Sequence, residues 1–188
     1  METMRICSCL WTAFVVVWLA AWFKTKRTQE RMNFGSRLLY SIPVFIGCYL
    51  LFGERFSGWL QERVIPKNIG IESVAILLTA VGIALAIWAR FYIGENWSSA
   101  VSIKVDHQLI RTGPYAWVRH PIYSGILLGM IGTALARREP RGFFAIIFLW
   151  LGFWIKLRME EGFMRKTFGE QYQEYSRSTG ALTPKMRS

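Results

Sequence analysis

Ile71-Glu-Ser-Val-Ala-Ile-Leu-Leu-Thr-Ala-Val-Gly-Ile-Ala-Leu-Ala-Ile-Trp-Ala-Arg90-Phe-Tyr-Ile93 carries one charge, Glu72, before Arg90. As a helix it rises about 35 Å, enough to cross a bilayer core with tilt. Working outward, four more apolar blocks flank this one. The first runs from Leu10 to Phe23, or 17 residues counted from Cys7. A signal peptide would need small residues at its cleavage site, where Trp22 and Phe23 stand, so an uncleaved span is expected. The second block is Leu38 to Phe52, with Pro43 inside it. Membrane helices tolerate such a proline. Ile122–Ala136 and Phe143–Leu157 are 15 residues each, joined by the polar turn Arg137 to Gly142. They are expected to form a short helical hairpin. The fold class expected is all-α: a polytopic membrane protein with about five transmembrane helices. It is expected to be one membrane domain, 1–188, with three spans in 1–93 and the polar chemistry concentrated in 94–188.

Composition narrows the class further. Hydrophobic residues make up 53% of the 188 positions and aromatic residues 15%. That excludes intrinsic disorder, and the long apolar blocks argue against a soluble α/β enzyme. The net charge is +11, which in a soluble domain would point to nucleic acid. Here the cations lie between apolar blocks, which suits a membrane surface, so lipids and not nucleic acid are the expected partners. Cys7, Cys9 and Cys48 are odd in number and have no ligand spacing, so free thiols are expected. Loop 24–37, loop 94–121 and the tail from Lys156 hold fifteen Lys and Arg, against seven on the opposite side. The positive-inside rule then puts the N-terminus outside and those three segments in the cytoplasm.

Several familiar sites are missing. There is no Walker loop, no G-x-G-x-x-G and no G-x-S-x-G. His107 and His120 are the two histidines, and neither has a partner at metal-ligand spacing, so no metal site is expected. The conspicuous run is Arg111-Thr-Gly-Pro-Tyr115-Ala-Trp-Val-Arg119-His120-Pro121-Ile-Tyr123-Ser-Gly125. Pro121 suits the first position of a helix. Arg119 and His120 then stand at a helix mouth, which attracts a carboxylate. Read singly, the same residues are a snorkelling arginine, a helix cap and an aromatic belt. A second feature is Lys156-Leu-Arg158-Met-Glu160-Glu161. Lys156 and Glu160 share a helix face at i, i+4, either as an interfacial ion pair or as a functional site. The helix is expected to continue through Phe168, Tyr172 and Tyr175 as an apolar stripe.

Together with Asn96-Trp97-Ser98, Leu109 to Tyr115 and Phe168-Gly169-x-x-Tyr172-x-x-Tyr175 before Pro184, these pieces resemble the isoprenylcysteine carboxyl methyltransferase family. The wider group with phospholipid N-methyltransferases is also similar. The resemblance covers about Gly94 to Pro184. It implies S-adenosylmethionine as cofactor, bound between the loop and the C-terminal helix. The family's cofactor contacts fall on His107, Gln108, Leu109, Ile110, Tyr115, His120, Pro121, Ile122, Tyr123 and Glu160. His120 and the helix mouth suit the cofactor carboxylate, and Glu160 its ammonium. The family arginine that orients a substrate carboxylate is Lys156 here, which keeps the charge but loses the bidentate fork. A family glutamine is Ala100.

The resemblance implies methyl transfer to a lipophilic acceptor entering from the bilayer, an isoprenylated cysteine carboxylate or similar. Lys156 would hold that carboxylate. An amine acceptor must lose a proton, and Glu160 or Glu161 would take it. A phospholipid amine and a thiol are the alternative acceptors. A non-catalytic lipid-binding scaffold would show no cofactor affinity. A reductase of the sterol type would need more spans than 188 residues hold.

Overall fold

A computed structural model describes residues 2–22, 28–31, 34–94, 97, 102–104 and 109–185. Helix α1 spans Glu2–Trp22, strand β1 Thr28–Arg31, α2 Phe34–Phe52 and α3 Ile69–Ile93. Strand β2 follows at Ser102–Lys104, then α4 at Pro121–Arg137, α5 at Pro140–Phe168 and α6 at Glu170–Ser178. The five apolar blocks are therefore five helices, and the protein is an integral membrane protein. Four of them, α1, α2, α3 and α5, are long and apolar enough to cross a membrane. The fifth, α4, has 17 residues, a rise of about 26 Å.

Local chemistry sets the ends. The Asn68 side chain accepts from Gly70 N at 2.8 Å and caps α3. Pro121 and Pro140 open α4 and α5, where a missing N–H costs nothing. The expected continuation of the last long helix through Tyr175 does not occur. Gly169, at φ +52°, breaks it, and α6 leaves in a new direction. One short antiparallel pair, β1 with β2, joins the segment after α1 to the segment after α3.

The expected hairpin of two short helices also takes a different form. α5 is 29 residues long, and α4 and α5 meet closely near their connecting turn, where Gly142 lies against Ala134. Beyond that turn, α4 packs chiefly on α3 and α5 on α2. Small residues explain the choice. A Cβ on Gly82 would lie 2.5 Å from Gly125 O, and one on Gly132 would lie 2.6 Å from Ala75 O. Gly125 and Gly129 form a G-x-x-x-G face on α4, opposite Gly82 and Ala86 on α3. Gly47 on α2 and Gly152 on α5 give the second pair the same intimacy. Threonines add hydrogen bonds inside this apolar packing. Trp11 Nε1 donates to Thr133 Oγ1 at 2.9 Å, and the Thr79 and Thr133 hydroxyls are 3.4 Å apart. Outward faces remain apolar, as lipid requires: Phe45 is 73% exposed.

Arg90 is the one cation inside α3, and it is only 3% exposed. Its Nη2 donates to Ala21 O at 2.6 Å and its Nη1 to Gly94 O at 3.0 Å. Its guanidinium lies 4.3 Å from the Trp97 ring centroid. It clamps the ends of α1 and α3 together. The same end of the bundle receives the β pair, the loop before α4 and the end of α5. The described parts of the three segments that the cation count grouped thus lie at one end of the molecule. At the other end Arg141 Nη1 donates to Gly53 O at 2.6 Å, and Val64 N donates to Arg138 O at 3.0 Å. All three cysteines are free.

Gly82→Ala is expected to lower the thermal midpoint in detergent, because the added methyl meets backbone, with overpacking costing about 1–3 kcal/mol. Gly162→Ala, where nothing lies within 4 Å, is expected to raise it slightly. Equal midpoints for the two variants would rule out the close α3–α4 contact.

Candidate active site

Pro121 starts α4, so Arg119 and His120 are fixed just outside the helix, beside the end of α5. There the two conspicuous motifs meet. Arg119 Nε donates to Glu161 Oε1 at 2.8 Å, and its Nη1 donates to Ser176 O at 3.1 Å and to Thr179 O. His120 stands between two carboxylates: Nδ1 is 3.5 Å from Glu160 Oε2, and Nε2 is 3.5 Å from Glu161 Oε1. Tyr123 OH donates to Glu160 Oε1 at 2.6 Å. The His120 and Tyr123 rings stack at 5.5 Å, with 5° between their planes. Lys156 lies one helical turn before Glu160. Its ammonium is 5.2 Å from the Tyr123 ring centroid and 5.5 Å from that of Tyr40 on α2. Phe153 closes the apolar side at 5.1 Å from Tyr123.

The sequence-expected residues divide into three groups. His120, Tyr123, Lys156 and Glu160 form one cluster. Tyr115, Pro121 and Ile122 are buried next to it and build its support, while Ile110 packs against the same core and Leu109 is half-buried. Tyr115 OH donates to Ala89 O at 3.3 Å, and Tyr175 OH donates to Tyr115 O at 2.5 Å. Burial pushes the Tyr175 hydroxyl up to about 12, against Arg119 and Arg111, so it stays a donor. His107, Gln108, Asn96 and Ala100 lie outside the described residues.

His120 occupies the N-cap position of α4 but makes no side-chain cap hydrogen bond. Its ring faces carboxylates instead of the helix mouth. Nε2 is buried and has no hydrogen-bond partner among the described residues. Burial disfavours the charged ring, but hydrogen bonding and charge from Glu160 and Glu161 more than offset this, and its pKa is raised above 6.5.

Sequence reasoning left out Tyr40 and the tail backbone, and it named Glu161 only as an alternative base for an amine acceptor. Glu161 is 2% exposed and anchors Arg119, and its i, i+4 spacing to Arg165 was the available signal. Tyr40 had no signal, since it is one aromatic among many in an apolar block. The third element is the backbone of Gly180 to Leu182. Arg119 N donates to Gly180 O at 2.8 Å, His120 N to Ala181 O at 3.0 Å, and Ser124 Oγ to Leu182 O at 2.6 Å. The tail is thereby strapped across the start of α4.

A family model described as phospholipid methyltransferase matches residues 71–171, just over half of the chain. The chain belongs to that family. A protein-S-isoprenylcysteine O-methyltransferase of Saccharomyces cerevisiae is 34% identical over 66% of this chain and 58% of its own length. The cobalt-zinc-cadmium resistance protein CzcN of Cupriavidus metallidurans is 29% identical over 77% of this chain and 61% of its own. A solved structure of the eukaryotic intramembrane Ras methyltransferase, an isoprenylcysteine carboxyl methyltransferase, aligns with TM-score 0.57 and 24% identity. That alignment covers 81% of this chain and 54% of the other, and it establishes a shared fold. The chain spans about half to two thirds of the length of the relatives it matches. The matched region of this phospholipid methyltransferase family member holds the Arg119–Glu161 and Tyr123–Glu160 pairs.

Two outcomes are expected. A raised folded-state pKa means that folding binds the His120 proton more tightly. That stabilisation is fully present below the ordinary value of 6.5 and is lost as pH rises through the raised one. The midpoint difference between wild type and His120→Gln should therefore shrink as pH rises, and a difference that grows would contradict the geometry. Arg119→Ala should strand a buried carboxylate at a cost of about 3–5 kcal/mol. Hydrogen exchange should then rise first in 176–185, and exchange unchanged there would show that the tail is held by something else.

Proposed function

We propose that this protein transfers a methyl group from S-adenosylmethionine to a lipophilic acceptor in the membrane, namely the carboxylate of an isoprenylated cysteine. The observation that carries the reading is the single cluster of His120, Tyr123, Lys156 and Glu160, drawn from two helices at one end of the bundle. Relatives bearing the isoprenylcysteine methyltransferase name support it. The cofactor's chemistry fits the residues present. Glu160 suits an ammonium, and the faces of Tyr40, Tyr123 and Phe153 suit a sulfonium.

When bound, S-adenosylmethionine supplies an electrophilic methyl group on sulfur. The chain supplies position. Glu160, with Tyr123 donating to one of its oxygens, holds a cationic group at a fixed point. Glu161 is kept in place by Arg119 and reinforces the negative potential at His120. Lys156 holds the acceptor carboxylate and neutralises it without a bidentate fork. Tyr115, Ile110 and Ile122 form an apolar wall with Leu109, and His107 and Gln108 belong to the same cofactor segment. A carboxylate acceptor needs no base, so rate comes from alignment in a site shielded from water. The cation distribution supports a cytoplasmic position for this end of the bundle, with the N-terminus outside, where the cofactor would enter from water and the acceptor from the bilayer.

Calorimetric titration of the purified, detergent-solubilised protein with S-adenosylhomocysteine is expected to give micromolar binding. Glu160→Gln should weaken it about 10–100-fold, from the loss of a charged hydrogen bond worth about 1.5–3 kcal/mol. Lys156→Ala should leave that affinity intact and lower kcat/KM for a farnesylated cysteine, while Lys156→Arg should retain turnover. No binding to folded protein would remove the methyltransferase reading. Binding with turnover only on a phospholipid amine would move the acceptor to that class.

A further inference from the structure

A cleft of about 590 Å³ opens on the side of α5 turned away from Lys156. One wall is Trp150 and Trp154; the other is the tail from Thr179 to Lys185, and Arg119 forms part of the lining. The two tryptophans stand one turn apart, stacked at 5.5 Å with 14° between planes. They are 47% and 37% exposed, so they line the cleft rather than fill a core. Arg158 continues the same face one turn further, roughly 6 Å along the axis, and its guanidinium lies 5.2 Å from the Trp154 ring. Lys185 stands on the opposite wall. Among the described residues, no carboxylate lines the cleft.

We infer that this cleft binds an anionic phospholipid of the surrounding bilayer, as a site separate from the methyl-transfer cluster. The placement of the groups selects the ligand. Tryptophan lies at the depth where acyl chain meets headgroup, and its ring covers chain methylenes. Arg158 stands beyond the end of the tryptophan wall and Lys185 on the facing wall, and each contributes attraction for a phosphate of net negative charge. A zwitterionic headgroup would bring its own cation to Arg158 and Lys185. A soluble anion would make no use of the aromatic wall. The bound lipid would also brace the tail that Arg119 straps across α4.

The test is tryptophan quenching by brominated lipids in vesicles, comparing phosphatidylglycerol with phosphatidylcholine at equal mole fraction. Wild-type protein should be quenched more strongly by the anionic lipid, and an excess of inorganic phosphate should not compete. The excess should vanish in W150F/W154F. Apparent affinity for the anionic lipid should fall about fivefold in R158Q and again in K185Q. K166Q, a cation on α5 beyond the cleft, should leave it unchanged. Equal quenching by the two lipids overturns the site. A K166Q loss as large as that of R158Q also overturns it, because bulk surface charge would then be the cause. If W150F/W154F loses helix content by circular dichroism, the three charge variants decide alone.

Discussion

The guanidinium of Arg119 donates to Glu161 on one side and to the carbonyls of Ser176 and Thr179 on the other. Through it the start of α4, the end of α5, α6 and the tail share one buried hub. Glu161 is nearly inaccessible, so its charge rests on Arg119 at one oxygen, with Arg165 3.1 Å from the other. This requirement fixes where α4 begins relative to α5, and hence where His120 and Tyr123 stand relative to Glu160. A network in which nearly every donor is used has few alternative arrangements, which is what a site built on positioning needs.

The hub works because the helices below it are held close. In lipid, apolar side chains gain little by leaving the bilayer for each other, so association rests on contact and hydrogen bonds. Glycines at 82, 125 and 132 let α3 and α4 approach to backbone contact, and Thr133 with Trp11 adds polar glue. Arg90 then ties α1 to α3 at the site end. Its charge is spread over two carbonyls and an aromatic face, which makes a buried cation bearable within an apolar helix.

The chemical cluster draws on both halves of the chain. Four of its residues come from α4 and α5 and their flanks, but Tyr40 comes from α2, which sits against α5 through Gly152. The N-terminal spans are therefore more than an anchor. An aromatic ring from α2 beside Lys156 places the first half of the protein at the cluster.

Much of this was legible in the sequence. Block lengths, basic loops and the proline at 121 specify the helices and the start of α4, because hydropathy and missing donors act locally; the start of α5 at Pro140 lay inside the expected turn. The Arg119-His120-Pro121-x-Tyr123 and Lys156-to-Glu160 motifs named most of the cluster for the same reason. The expected hairpin and the helix running on to Tyr175 were decided elsewhere. Helix pairing depends on which glycine faces meet, and the direction of α6 depends on a positive φ at Gly169. The turning of His120 toward two carboxylates, the burial of Glu161, the strap at Gly180 and the arrival of Tyr40 arise from residues 40 to 116 positions apart. The sequence alone determined the elements and their charges; tertiary structure decided their partners, since a buried charge or a backbone contact is defined only by what is brought against it.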